Sequence, residues 1–211
     1  MAIRKPMPTK IACMVSVPRC ASNSIRELLQ LGGNRDDDAE EPGECRVIYE
    51  NHQRLAVLER KYDLAGKYVF AFVRNPYERV ASWYKCHSSL EPYASRSFAR
   101  WVRDGCPSHW TIQNETNWTA AGLSPLLQGN FLAGGTPVDF VGRMENFGND
   151  IRRLVHDLNR KCAEAGMDPR FVYRKVHINR SRPRAEPYSP ELRAKVFELF
   201  RQDFEAFGYP A

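Results

Sequence analysis

The stretch YVFAFVRNPYERVASWY, Tyr68 to Tyr84, decides how the rest of the chain is read. Its opening run, Tyr68 to Val73, is unbroken apolar sequence of the length of a buried strand, and it stops at Arg74, Asn75 and Pro76. Apolar residues then return at helical spacing, with Val80, Trp83 and Tyr84 as an inward face. Asn75 is a good N-cap, because its side-chain oxygen can accept a backbone N–H of the first turn. Pro76 suits the first helical position, where an N–H has no intrahelical partner. A strand feeding a helix therefore sets the Arg74 cation at the mouth of the strand, beside a helix N-terminus. Ser82 follows about two turns into that helix, so Arg74 and Ser82 address one anion if strand end and helix face a common cleft. An ordinary junction with a surface arginine has the same local pattern, and this stretch alone does not separate the two.

The same grammar occurs earlier. Ile11 to Val17 (IACMVSV) reads as a first buried strand, Pro18 to Ser24 (PRCASNS) as a turn of small and hydroxyl residues, and Ile25, Leu28 and Leu29 as one face of a helix ending near Gly32 and Gly33. The backbone N–H groups at such a helix start lack intrahelical partners, and Ser22, Asn23 and Ser24 add side-chain donors, which suits the turn to a phosphate. A capped helix whose Ser and Asn only satisfy its first turn is the competing reading. The G-x-x-x-x-G-K-[ST] pattern of ordinary ATPases and GTPases is absent, although the strand, loop and helix remain P-loop-like.

Further along, Val47 to Tyr49 reads as a short strand delivering Glu50, Asn51 and His52 to a helix from Gln53 to Tyr62, with Leu55 and Leu58 inward. His52 is a candidate proton acceptor, set against the more common structural or merely exposed histidine. Phe98, Trp101 and Val102 suggest a short helix, and residues 105–136 read as loops and short helices in which Trp110, Trp118 and Phe131 line either an acceptor site or a satellite core. Val138 to Val141 reads as another strand. Phe147, Ile151, Leu154, Val155 and Leu158 form a helical core stripe. Arg174 to Arg184 (RKVHINRSRPR) is a dense basic run with Asn179 and Ser181 interleaved, either solvated charge or a phosphate-gripping loop. Ser189 and Pro190 start a final helix with Leu192, Val196, Leu199 and Phe200 inward.

Strands alternating with helices predict an α/β fold: a single P-loop-like, three-layer domain with a central, mainly parallel sheet flanked by helices. A chain of 211 residues can bury the core of one such domain. Lys and Arg number 31 against 25 Asp and Glu, a net charge of +6, which suits a polyanionic partner without choosing among nucleic acid, acidic glycan and a multiply phosphorylated nucleotide. The six cysteines show no C-x-x-C pair and no spacing with His that would hold zinc, so no metal is expected. No apolar run is long enough to span a membrane, and no export signal is present, so a cytoplasmic protein is expected.

With these pieces in order, the chain resembles the sulfotransferases, especially the branch of the Golgi carbohydrate sulfotransferases and their bacterial relatives. VSVPRCASNSI resembles that family's 5′-phosphosulfate loop, and FAFVRNPYERVASWY its 3′-phosphate motif; VDFVGRMENF and YSPELRAKVFELFRQDFEAFGY resemble later family blocks. Residues 1–10 read as a short basic lead-in, and the resemblance implies a single sulfotransferase-like domain over 11–211 and 3′-phosphoadenosine 5′-phosphosulfate as co-substrate. It also implies a hydroxyl-bearing acceptor, carbohydrate or other small molecule, and no nucleic-acid partner. Arg19, Cys20, Ala21, Ser22, Asn23 and Ser24 would then hold the 5′-phosphosulfate, Arg74 and Ser82 the 3′-phosphate, and Asn179, Arg180, Ser181 and Arg182 would close over the nucleotide. His52 stands where similar 2-O-sulfotransferases carry a general base, and Arg19 where the family usually has Lys, which exchanges a compact ammonium for a broad fork. A divergent P-loop kinase, or a polyanion-binding module whose catalysis has lapsed, are the rival readings.

Overall fold

The computed structural model describes residues 9–31, 45–87, 96–107, 124, 126–174 and 188–211. Its centre is a four-stranded, fully parallel sheet of β1 (Thr9–Val15), β2 (Cys45–Glu50), β3 (Tyr68–Val73) and β4 (Phe140–Arg143), in the order β2-β1-β3-β4. Parallel strands covered on both faces read as continuous apolar runs, and every residue of β3 is buried. β4, at one edge, instead alternates buried and exposed positions. Gly142 is needed there: a Cβ would lie 2.5 Å from the Phe72 ring.

Among the described residues the helices are α1 (Ser22–Leu29), α2 (Leu55–Lys61), α3 (Pro76–His87), α4 (Phe98–Arg103), α5 (Gly129–Leu132), α6 (Phe147–Glu164) and α7 (Pro190–Phe207). Contacts group the chain into two compact units, Met1–Val73 with Leu132–Ile178 and Arg74–Phe131 with Asn179–Ala211. In the first, α6 packs on β1 and β4 through Ile151, Leu154 and Leu158, all fully buried. In the second, α3, α4 and α7 enclose an aromatic core of Tyr77, Trp83, Phe98, Trp101, Phe200 and Phe204. Among the described residues no helix is long and apolar enough to cross a membrane.

Several boundaries differ from the sequence expectation. β1 ends at Val15 rather than Val17, because the next two carbonyls leave the ladder: Ser16 O faces His52 Nδ1 at 3.0 Å, and Val17 O accepts from Cys20 N–H at 3.3 Å. α1 stops at Leu29, three residues before the glycine pair, since Gln30 adopts the left-handed conformation (φ 52°) and closes the helix with Leu31 N–H on the Arg26 carbonyl. The strand expected at Val138 to Val141 is displaced to Phe140–Arg143, in register with Phe70–Val73 of β3. Phe131 is fully buried core, while Trp110 and Trp118 lie outside the described residues. The caps are as expected. Asn75 Oδ1 accepts from Tyr77 N–H at 2.9 Å, and Ser189 caps α7.

Ladder geometry sets the frame for the site. β1 pairs with β2 so that Val15 faces Glu50, after a β-bulge that skips Ile11 between Lys10 and Ala12. The chain leaves β1 toward β2 on one side, and β3 and β4 lie on the other. The topological switch point is thus between β1 and β3, where open α/β sheets take their ligands outside the strands' carboxyl ends.

Candidate active site

The turn after β1 is built on two non-glycine residues in the left-handed region, Arg19 (φ 66°) and Ala21 (φ 67°). L-residues avoid this conformation. Inside a turn it gathers successive backbone N–H groups into a concavity of the kind that receives anions. The first backbone bond of α1 runs from Ile25 N–H to the Ala21 carbonyl at 3.0 Å, so the N–H groups of Ser22, Asn23 and Ser24 precede the intrahelical ladder. Ala21 makes no side-chain cap. Ser22 Oγ, in the first helical position, donates instead to the Val17 carbonyl at 3.2 Å, and Cys20 Sγ, buried, to the Pro18 carbonyl at 3.5 Å. The turn's interior is therefore packed and bonded to itself, with Arg19, Asn23 and Ser24 at least partly exposed. Of the six turn residues expected to bind phosphosulfate, Cys20 offers no accessible side chain.

His52 is brought to this turn by strand register. Because Val15 faces Glu50, the residues just beyond each strand are neighbours. His52 Nδ1 lies 3.0 Å from the Ser16 carbonyl oxygen and 3.3 Å from Ser16 Oγ. A carbonyl only accepts, so Nδ1 carries the hydrogen and neutral His52 keeps its lone pair on Nε2. His52 itself adopts φ 55°, a left-handed turn between β2 and α2. Strain of this kind persists where the surroundings over-determine it. The end of β2 is tied down next to it: Tyr62 Oη donates to Glu50 Oε1 at 2.6 Å, and Lys61 pairs with the same oxygen. Burial alone would raise the Glu50 carboxyl, but the bonds from Lys61 and Tyr62 outweigh it and hold the group below the usual carboxylate range.

Arg74 and Ser82 belong to the second compact unit. Arg74 Nη2 pairs with Glu78 Oε2 at 3.2 Å, and Ser82 sits on α3, largely buried. Positions 74, 78 and 82 are four apart, so a carboxylate stands on the helix face between the two expected phosphate ligands. The Arg74 backbone is clasped at both ends by one buried side chain: Gln128 Oε1 accepts from Arg74 N–H at 2.8 Å, and Gln128 Nε2 donates to the Arg74 carbonyl at 2.9 Å. Gln128 is in turn fixed by Asp203 of α7, whose two carboxylate oxygens accept from Gln128 N–H (2.9 Å) and Gly129 N–H (3.0 Å). Burial pushes the Asp203 carboxyl up, against the opposing pull of the buried Arg79 charge and the N–H donors.

Thus the structure brings His52 to the Arg19–Ser24 turn and seats Arg74 and Ser82 on one junction. Asn179, Arg180, Ser181 and Arg182 lie outside the described residues. Sequence reading missed Ser16, Gln128, Asp203 and Glu78. Only Glu78 had a visible signal, its spacing of four from Arg74. Among the described residues no group of three or more His, Cys, Asp or Glu is disposed to hold a metal ion.

Comparison with known proteins bears on what this arrangement is. No curated protein sequence matches the chain. A solved structure, a sulfotransferase from Alicyclobacillus acidocaldarius, aligns over 93% of both chains at 16% identity with a TM-score of 0.49. The model of the sulfotransferase family matches residues 10–210, which takes in the turn after β1, His52 and the Arg74 junction together. The chain belongs to the sulfotransferase family.

Proposed function

We propose that the protein transfers a sulfuryl group from 3′-phosphoadenosine 5′-phosphosulfate to a hydroxyl of a carbohydrate acceptor. The observation that carries this reading is the 3.0 Å approach of His52 Nδ1 to the Ser16 carbonyl: a pure acceptor there keeps the hydrogen on Nδ1, and Nε2 is then the nitrogen able to take a proton. The acceptor oxygen attacks sulfur as its proton passes to Nε2. A new O–S bond forms, the bond from sulfur to the bridging phosphate oxygen breaks, and adenosine 3′,5′-bisphosphate leaves. Arg19 and the N–H groups of the turn offset the charge that builds on the leaving phosphate, the electrostatic task familiar from phosphoryl transfer. Arg74 and Ser82 take the 3′-phosphate, and Asn179, Arg180, Ser181 and Arg182 contribute to the nucleotide's cover. The net charge of +6 favours an acidic glycan among hydroxyl acceptors. The six free thiols fit a reducing, cytoplasmic setting.

The test is a thermal shift with adenosine 3′,5′-bisphosphate against ATP with magnesium, followed by transfer of labelled sulfate to glycan pools. A ligand that binds only the native state raises the midpoint. The bisphosphate is expected to do so and magnesium ATP not. His52→Ala is expected to keep the shift and lose turnover. A selective response to ATP favours a kinase, and a shift by the bisphosphate with no transfer to any acceptor favours a binding module.

A further inference from the structure

Three hydroxyl or imidazole protons are shared among four acceptors between the proposed base and the donor turn, and their directions are forced. The Val17 carbonyl has no proton to give, so Ser22 Oγ donates to it at 3.2 Å. Ser22 has then spent its only hydrogen, and its oxygen accepts from Ser16 Oγ at 3.0 Å. Ser16 has likewise spent its own, which leaves its oxygen an acceptor toward His52 Nδ1 at 3.3 Å, in parallel with its carbonyl at 3.0 Å. The direction runs one way from His52 through Ser16 and Ser22 to Val17. Ser16 is fully buried and Ser22 nearly so, so water does not compete for these bonds. A serine near the end of the apolar run IACMVSV is otherwise a polar group where packing asks for none.

We infer that Ser16 is a positioning residue for His52, presenting two acceptors to Nδ1–H and joining the ring to the donor turn through Ser22. The inference rests on His52 being the proton acceptor. Ser16 touches neither substrate. It acts by keeping the hydrogen on the inner nitrogen and the lone pair on Nε2, and by balancing the imidazolium once the acceptor proton has arrived. If Ser22 is taken away, the Ser16 hydroxyl loses the acceptor that fixes its direction and becomes a competitor for Nδ1.

The experiment uses the full chain, with adenosine 3′,5′-bisphosphate as the probe of the donor turn. Ring-nitrogen shifts of His52 are read from 1H–15N spectra, assigned with His52→Ala, in the wild type, Ser16→Ala and Ser22→Ala. Both serine variants only remove an atom, so neither crowds the core. The wild type is expected to show Nδ1–H with Nε2 unprotonated. In each variant the ratio of Nδ1–H to Nε2–H is expected to fall about 2- to 12-fold, the worth of one neutral hydrogen bond. In Ser16→Ala, kcat should fall by a similar factor with the donor KM and the bisphosphate thermal shift unchanged. An unchanged ratio in both variants overturns the positioning role, whatever turnover does. A changed ratio with unchanged kcat overturns it by a different route, by showing that His52 is not the base while the hydrogen-bond chain stands.

Discussion

Replacing Asp203 by Asn removes one charge and no volume, and it tests whether the C-terminal helix positions Arg74. In the wild type each carboxylate oxygen accepts a separate backbone N–H, from Gln128 at 2.9 Å and Gly129 at 3.0 Å. An amide offers one acceptor oxygen, and its NH2 must face the other N–H. One charged hydrogen bond, worth about 1.5–3 kcal/mol, is lost to a donor–donor contact. The charge of the buried Arg79 pulls the same carboxyl down, but burial outweighs it, so no broken ion pair is added to this loss. We therefore expect a total of about 1.5–3 kcal/mol. At about 3 °C per kcal/mol for a chain of this size, the thermal midpoint falls by about 5–9 °C. Urea titration followed by circular dichroism measures the same loss as a lower midpoint at constant slope. Under conditions where the variant is still folded, its affinity for adenosine 3′,5′-bisphosphate should also drop, because Gln128 no longer holds both the N–H and the carbonyl of Arg74. A variant within about 1 kcal/mol of the wild type refutes the energetic argument. A destabilised variant with unaltered bisphosphate affinity refutes the link to Arg74.

Two further expectations follow from features of the same structure. Glu78→Gln releases Arg74 from a carboxylate that an incoming phosphate has to displace or share, so bisphosphate binding should tighten about 2- to 5-fold at low salt, an effect that shrinks as salt rises. Weaker binding by calorimetry would mean that Glu78 orients Arg74 rather than competing for it. Among the thiols, burial pushes Cys13 and Cys106 up to about 12, and burial with a bond to Cys162 does the same for Cys45, whereas Cys86 is exposed on α3. Native protein treated with a chromogenic disulfide at pH 8 should therefore release one equivalent fast, lost in Cys86→Ser, with the rest appearing only on unfolding.

What could be read from the sequence was what the chain determines locally. The β3 run, the Asn75 cap with Pro76, the Ser189 cap and the α6 stripe each depend on residues within a few positions of one another, and each stands where the residue pattern puts it. His52 could be nominated because it follows a strand, but its protonated nitrogen could not, since Ser16 lies 36 positions away and meets it only through strand pairing. Ser16 itself was read as strand. The Gln128 and Asp203 clasp spans 54 and 75 positions, and no periodicity or cap signals it. The glycine pair misled for a related reason: Gly is the usual left-handed helix stop, yet Gln30 takes that conformation first.

The pairing of Val15 with Glu50 gives the site a stepwise tolerance. Backbone ladders shift only in whole residues, about 3.3 Å at a time, and each step also turns every side chain to the opposite face. His52 therefore has no slightly wrong register to occupy: it lies beside the Ser16 carbonyl, or it is displaced by a full notch and faces elsewhere. Small distortions arriving from the connection between β1 and β2 are rounded back to the same notch by the ladder. The bulge at Ile11 takes up the leftover residue ahead of the paired run, so an error in counting at the beginning of β1 is absorbed before it reaches the end beside the candidate site.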